Sequence, residues 1–164
     1  MRILSIDPGY ATLGWAIIEG SLNIIGYGSI ETDRSLEIDE RLFIIHRQLN
    51  QIIESHKPDC LAIEKLFFAK NTKTAIDVAK CIGVILLTAK IHELSYSEYT
   101  PLQVKAAITG YGRAAKGQIQ NIIMKIYKLK ELPRPDDVAD ALAIAACHFL
   151  NMKSVRIKSN DRKT

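Results

Sequence analysis

The chain has 164 residues, a net charge of +4, 48% apolar residues and 24% charged residues, which is the composition of one soluble globular domain. This composition excludes a disordered chain. The longest apolar stretch, Cys81–Ala89, is far shorter than the roughly 20 residues of a membrane span. Three widely separated cysteines argue against a disulfide framework, and the early charge of Asp7 argues against a signal peptide. We therefore expect buried reduced thiols, no membrane partner and a cytoplasmic location.

The charge is unevenly distributed along the chain. Residues 1–64 contain five basic and ten acidic residues, whereas residues 65–130 contain eleven basic and three acidic residues. A basic middle between acidic motifs indicates that a polyanion binds next to a carboxylate site. The alternative is that the lysines only solvate helix faces, and charge alone does not decide between the two.

Hydrophobic periodicity predicts three strands at the start of the chain, followed by a helix, a strand and a second helix. The three strands are the apolar runs Arg2–Ile6, Leu13–Ile18 and Leu22–Ile30. Their short connections permit only hairpins, so they should be antiparallel neighbours. Helical spacing then predicts helices over about 37–55 and 71–92, with a short buried strand at Cys60–Ile63 between them.

The second half of the chain begins with a predicted strand at Ser95–Tyr99 and then becomes helical. Thr100-Pro101-Leu102-Gln103 is typical of a helix start, with Thr as N-cap, Pro first and Gln third. Further helices are predicted around residues 119–126 and over about 136–150. Strands that follow helices should join the sheet in parallel. The result is an α/β domain over residues 1–150, with a mixed five-stranded sheet, helices on both faces, and a basic, disordered tail at 151–164.

Two carboxylates each close an apolar strand. Asp7 stands where the first strand meets Pro8-Gly9, and Glu64 follows Cys60–Ile63. If these strands are parallel neighbours, their carboxyl ends meet at the sheet rim, where ligands bind, and the carboxylates converge. Such a pair repels unless a cation lies between its members. Taken alone, Asp7 is equally well explained as a turn-forming residue.

Asp137 and Asp140 are three residues apart in the last helix and therefore share one face. Asp136 and Asp137 have a structural explanation, because anions stabilise helix N-termini. Asp140 lies one turn further in, among apolar residues, and a buried aspartate needs a partner or a metal. Asp140 is therefore the residue that most strongly indicates a functional site.

These four carboxylates have the chemistry of a site for hard cations. With no clustered His or Cys beside them, they suit Mg²⁺ or Mn²⁺ rather than zinc. Two such ions about 3.5–4 Å apart form the clamp used in phosphodiester hydrolysis. His148 shares the Asp137 face but lies roughly 16 Å further along the helix, so we expect it to pack in the interior.

Four motifs, in this order, resemble the RuvC family of Holliday-junction resolvases, which have a ribonuclease H-like fold. They are Ile-Asp-Pro-Gly at 6–9, Ala-Ile-Glu at 62–64 with Phe-Phe-Ala-Lys-Asn at 67–71, Gln-Val-Lys at 103–105 and Asp-Val-Ala-Asp-Ala-Leu-Ala at 137–143. The similarity covers about residues 1–150. Asp-Pro-Gly alone also resembles the phosphate loop of actin-like kinases. The clamp of those kinases needs two such domains, and this chain has the size of one.

The resemblance implies a homodimeric, Mg²⁺-dependent endonuclease, with Mn²⁺ as a substitute and two ions per site. The enzyme would make paired nicks across a four-way DNA junction in recombination and repair, together with the RuvA–RuvB branch-migration complex. It implies metal ligands at Asp7, Glu64, Asp137 and Asp140. It also implies a base-stacking aromatic at Phe67 and DNA-facing lysines at Lys105 and Lys116.

Two other functions are compatible with parts of this pattern. One is a different ribonuclease H-like nuclease that acts on RNA, a hybrid or a flap. The other is a non-catalytic DNA-binding module, against which the presence of all four acids argues. A panel of nucleic acid substrates separates the two nucleases.

Overall fold

The computed structural model describes residues 1–66 and 72–160, with side chains at 1–66 and 75–153. Its strands are β1 (Arg2–Asp7), β2 (Thr12–Glu19), β3 (Asn23–Glu31), β4 (Cys60–Glu64) and β5 (Ser95–Tyr99). Its helices are α1 (Ile38–His56), α2 (Thr72–Ile91), α3 (Pro101–Thr109), α4 (Lys116–Tyr127) and α5 (Asp136–Asn160). Within these ranges, no helix is long and apolar enough to cross a membrane.

The sheet has the strand order β3-β2-β1-β4-β5. The first three strands pair antiparallel, and β1–β4 and β4–β5 pair parallel, which confirms the predicted mixed sheet. The register aligns Ile6 with Ile63. Asp7 and Glu64, one residue further along each strand, therefore leave the same edge of the sheet side by side.

The sheet is covered on both faces, as predicted. Successive residues of a strand point to opposite faces of the sheet. One face packs against α3, α4 and α5, and the other packs against α1 and α2, so the sheet contributes to two separate cores. On the α5 side of β2, the inward positions are Gly14, Ala16 and Ile18. The smallest of these residues, Gly14, pairs with Asp7, and the main chain of α5 approaches β2 closely at this position.

Helix α3 begins as the sequence predicts. Thr100 Oγ1 accepts a hydrogen bond from the Gln103 backbone at 3.3 Å, and Gln103 Oε1 accepts one from the Thr100 backbone at 2.8 Å. This reciprocal cap fixes the point at which the chain leaves β5 and turns into α3. It therefore places Lys105, one turn later, beside the carboxyl end of the sheet.

The predicted end of α5 near residue 150 is wrong, because the helix continues to Asn160. Residues 136–160 contain neither Gly nor Pro, so nothing stops propagation once the buried first turns have formed. Residues 151–160 therefore continue α5. Residues 161–164 lie outside the described part.

Candidate active site

The structure brings the four predicted carboxylates to one place. Asp7 and Glu64 end the neighbouring strands β1 and β4, while Asp137 and Asp140 project from the first two turns of α5. Asp7 is close enough to the other three for each of their charges to raise its pKa. The convergence inferred from strand ends and helix spacing is thus present in the fold.

Burial and nearby negative charges raise the pKa of three of these carboxyl groups, Asp7, Glu64 and Asp140. The pKa of Asp7 is raised to about 8, first by burial and then by the charges of Glu64, Asp140 and Asp137. Burial also raises the pKa of Glu64, with a further contribution from Asp140, while Lys105 and a hydrogen bond with Asp7 act in the opposite direction. Carboxylates that are buried and repel one another are stabilised when a proton or a cation binds between them.

Two of the carboxylates, Glu64 and Asp140, line a cleft of about 280 Å³ between the sheet edge and α3, α4 and α5. The charged side chains that line it are Glu64, Asp140, Lys105 and Lys116. Its apolar wall consists of Pro101, Val104, Ile119, Ala143 and Ile144. Both lysines assigned by family resemblance therefore enter the same cleft as the carboxylates.

Lys116 forms ion pairs that the sequence did not reveal. Its Nζ lies 3.1 Å from Oδ2 of Asp136 and 3.4 Å from Oδ2 of Asp140. Burial lowers the pKa of Lys116, but the two carboxylates outweigh that effect and raise it. Arg134 Nη1 also lies 3.5 Å from Asp136 Oδ1. The sequence explained Asp136 as a helix N-terminal acid, and only its position beside Asp137 hinted at a second role.

The donor set fits a hard cation. It consists of carboxylate oxygens at a solvent-accessible cleft, and the Asp140 side chain is 41% exposed. Among the side chains that the structure describes, at residues 1–66 and 75–153, no three of His, Cys, Asp or Glu are arranged to hold one metal ion. The Lys116 ammonium instead lies against Asp140. Binding an ion would therefore require the carboxylates to move closer together, which their repulsion opposes until the ion is present.

His148 lies outside this group of carboxylates. His148 is buried, and its ring contacts Tyr99 Oη at 2.7 Å and Cys60 Sγ at 3.5 Å, so it packs in the interior as expected. Burial lowers the pKa of His148, which favours the neutral ring. Phe67 and Phe68 lie outside the described residues.

Known proteins share both the sequence and the fold. A family model described as crossover junction endodeoxyribonuclease RuvC matches residues 3–148. A relative of that name from Caldicellulosiruptor saccharolyticus is 50% identical, covering 98% of this chain and 99% of its own. Another, from Halothermothrix orenii, is 53% identical, covering 90% and 92%. The structure of Thermus thermophilus RuvC in complex with Holliday junction substrate has a TM-score of 0.88 at 32% identity, covering 94% of this chain and 96% of that one.

The strand order, the covered faces and the carboxylates at the sheet edge define a ribonuclease H-like protein. Within that class, the chain belongs to the RuvC family of crossover junction endodeoxyribonucleases, since the family model covers most of its length. This is a family of metal-dependent nucleases. The resemblance read from four motifs is confirmed.

Proposed function

We propose that this protein resolves Holliday junctions by paired symmetric nicks, through two-metal-ion hydrolysis of phosphodiester bonds, in DNA recombination and repair. The grouping of Asp7, Glu64, Asp137 and Asp140 supports this most strongly, because two of them, Glu64 and Asp140, line one cleft together with two lysines. Carboxylates select the metal, and the adjacent ammonium groups match a phosphate backbone. The T. thermophilus protein crystallised with a junction has the same fold.

Asp7, Glu64, Asp137 and Asp140 would hold the metal, which we take to be two Mg²⁺ ions with Mn²⁺ as a substitute. Bound there, the ions would activate water and stabilise the leaving oxygen. Asp7 would release its proton as the site fills, since a nearby cation offsets the repulsion that raises its pKa.

The lysines have separate tasks in this proposal. Lys105 lies near Glu64 on the cleft wall and would bind the DNA backbone. Lys116 would leave Asp140 when that carboxylate turns to a metal ion, and Asp136 would keep the ammonium at the cleft mouth. The positive charge then stays within reach of the scissile phosphate.

Paired nicks are most simply made by two identical sites, so we propose a homodimer. Helix α2 offers a surface for it, because Ile76, Leu87 and Ile91 lie on one face at helical spacing and are each 57–60% exposed. Gly83 lies between them with no neighbouring atoms within 4 Å of an added Cβ, which allows a second helix to approach closely. Phe43 on the adjacent α1 is 63% exposed and would extend the apolar surface.

The family resemblance also implies a partnership with the RuvA–RuvB branch-migration complex, which we include in the proposal. Co-sedimentation of the protein with RuvA–RuvB on a mobile junction tests it. Equal sedimentation with and without that complex would remove this partner and leave the nuclease proposal intact.

The first experiment is cleavage of a substrate panel: a mobile four-way junction, linear duplex, flap and RNA–DNA hybrid, each with Mg²⁺ or Mn²⁺. We expect symmetric nicks in the junction and little cleavage of the others. Preference for the hybrid or the flap would favour the alternative ribonuclease H-like function. Asp140→Asn should abolish cleavage and preserve junction binding. Cleavage by that variant within about tenfold of the parent would remove Asp140 from the site.

The dimer is tested separately by sedimentation of Leu87→Glu, with Ile25→Glu as a control. Ile25 is also surface-exposed but lies on β3, away from α2. We expect Leu87→Glu to be monomeric and Ile25→Glu to remain dimeric. A dimeric Leu87→Glu variant would exclude the α2 surface as the interface.

A further inference from the structure

The unit formed by α3, the loop 110–115 and α4 is uniformly basic. Residues 100–130 contain no acidic residue and six basic ones: Lys105, Arg113, Lys116, Lys125, Lys128 and Lys130. Two of these, Lys105 and Lys116, line the carboxylate cleft, and the other four are not part of its lining. The basic character of the middle of the chain is therefore concentrated in one structural unit, which suits it to lie along a polyanion.

This unit contains a second cavity, of about 340 Å³. It is lined by Thr109, Tyr111, Ala114, Gln118, Asn121 and Ile122. The volume is near the lower end of the range of roughly 300–1,000 Å³ for small-ligand pockets. Lys116 and Ile119 of α4 line the carboxylate cleft, whereas Gln118, Asn121 and Ile122 line this cavity, so the same helix separates the two.

The loop holds Tyr111 in place while leaving its side chain in solvent. The Thr109 hydroxyl accepts a hydrogen bond from the Tyr111 backbone at 3.1 Å and lies 2.8 Å from the Tyr111 carbonyl. Gly110 supplies the left-handed turn, with φ of +74°, and the buried Ala114 anchors the other end of the loop. The Tyr111 side chain is nevertheless 60% exposed. A large aromatic ring presented in this way lowers the entropy cost of stacking on a ligand.

Two residues of α4 on the cavity lining, Gln118 and Asn121, offer polar groups. Gln118 Oε1 accepts a hydrogen bond from the Ala115 backbone at 3.1 Å and completes the cap of α4. The side-chain amide nitrogen of Gln118, Nε2, can still donate a hydrogen bond to a ligand. Asn121 is exposed one turn further along α4, and its amide can both donate and accept. A cavity lined by an aromatic ring and two amides matches a flat heterocycle with hydrogen-bonding edges.

We propose that this cavity binds an unstacked nucleobase of the DNA that occupies the carboxylate cleft. The base would stack on Tyr111 and present its edge to Gln118 and Asn121. The proposal rests on the proposed function, because it assumes that a nucleic acid lies in the neighbouring cleft. It adds a base-binding site outside the four carboxylates, one that could make cleavage depend on the nucleotide bound there.

The test is junction binding in EDTA, with 2-aminopurine placed singly at each position around the exchange point. The variants are Tyr111→Ala, Tyr111→Phe and, as a matched control, Tyr96→Ala. Tyr96 is 53% exposed, but it lies at the start of β5, away from the carboxyl ends of the strands. Melting temperatures verify that all variants are folded, as expected for exposed side chains.

We expect the wild-type protein to quench 2-aminopurine at one or two positions. Tyr111→Ala should lose this signal and bind the junction about five- to one-hundredfold more weakly, the range that base stacking gives. Tyr111→Phe and Tyr96→Ala should resemble the wild type. Affinity for linear duplex should change little in any variant, since phosphate contacts dominate it.

Two results would overturn the proposal. In one, Tyr111→Ala keeps both the quenching and the junction affinity. In the other, it weakens junction and duplex binding equally, which makes Tyr111 a general backbone contact. Neither result bears on whether the wild-type protein cuts junctions, so the base-binding site and the proposed function fail separately.

Discussion

The main chain of Asp137 lies directly over Gly14, so closely that a Cβ at position 14 would stand 2.0 Å from the Asp137 carbonyl oxygen. Gly14 is also the register partner of Asp7. The absence of a side chain there allows two of the carboxylates to meet. We predict that Gly14→Ala displaces the first turn of α5, destabilises the fold by about 1–3 kcal/mol or more, and abolishes cleavage.

Denaturant unfolding of Gly14→Ala and of Gly117→Ala measures this effect. At Gly117, within α4, an added Cβ meets no atom within 4 Å, so the control should be at least as stable as the wild type. If both variants match the wild type in stability and Gly14→Ala still cleaves, the approach of α5 to β2 is not needed for the site.

A second prediction concerns the pH dependence of stability without metal. The pKa of Asp7 is about 8 in the folded protein, against 3.8 for an unperturbed aspartate, so the folded state retains a proton that the unfolded state loses. Wild-type stability should therefore fall as the pH rises from about 4 to about 8. Asp7→Asn should lose less stability over this range and should melt at a higher temperature at pH 8.

Mg²⁺ provides the complementary measurement. It should raise the melting temperature of the wild type at pH 8 by mass action and have little effect on Asp7→Asn. The measurement is a series of thermal melts from pH 5 to 9 with EDTA or Mg²⁺. Parallel curves for the two proteins in EDTA would show that Asp7 does not titrate as the structure indicates.

The ion pairs of Lys116 predict a non-additive pair of substitutions. Lys116→Ala should slow cleavage more than it weakens junction binding. Asp136→Asn should slow cleavage less, since the Lys116 ammonium itself is still present on the cleft lining. If Asp136 acts through Lys116, Asp136→Asn should have no further effect in the Lys116→Ala background. Both groups are partly exposed, so neither change should cost more than about 1 kcal/mol of stability.

Asp39→Asn is the control for this cycle, because Asp39 is an exposed acid in the first turn of α1, as Asp136 is in α5. It should leave cleavage unchanged. Additive effects of Lys116→Ala and Asp136→Asn would mean that Asp136 acts independently of Lys116.

The aromatic pair after β4 supports a prediction from sequence alone. Phe67→Ala should leave stability within about 0.5 kcal/mol of the wild type and impair junction cleavage, as expected for a base-stacking residue. Phe68→Ala should cost roughly 3–5 kcal/mol of stability, as expected for a core residue. Denaturant melts and cleavage assays on both variants measure this. If Phe67→Ala is the unstable one, the two roles are reversed.

Much of the fold and the grouping of the site could be predicted, because both follow from short-range patterns. Hydrophobic periodicity located the elements, and hairpin lengths and crossovers set the strand directions. The strand ends at Asp7 and Glu64 and the spacing of Asp137 and Asp140 then predicted one group of acids. Asp140 was the clearest signal, since its apolar neighbours left it without a structural explanation.

Features that depend on contacts between distant segments could not be predicted. The ion pair between Lys116 and Asp136 joins two helices, and each residue alone looks like an ordinary surface charge. The close approach of Gly14 to Asp137 is likewise invisible, because a glycine in a strand has several explanations. The end of α5 was misjudged because the polar composition of residues 151–160 outweighed the absence of a helix breaker.

Helix α5 also determines the stage of protein synthesis at which the active site can form. Asp7 and Glu64 leave the ribosome early, but Asp137 and Asp140 belong to a helix whose residues Val138–His148 are buried, apart from Asp140. An incomplete chain therefore contains only half of the carboxylates and exposes one of its two cores. Cleavage competence should appear only when the last helix has docked, so nascent or truncated chains should not be able to cut DNA.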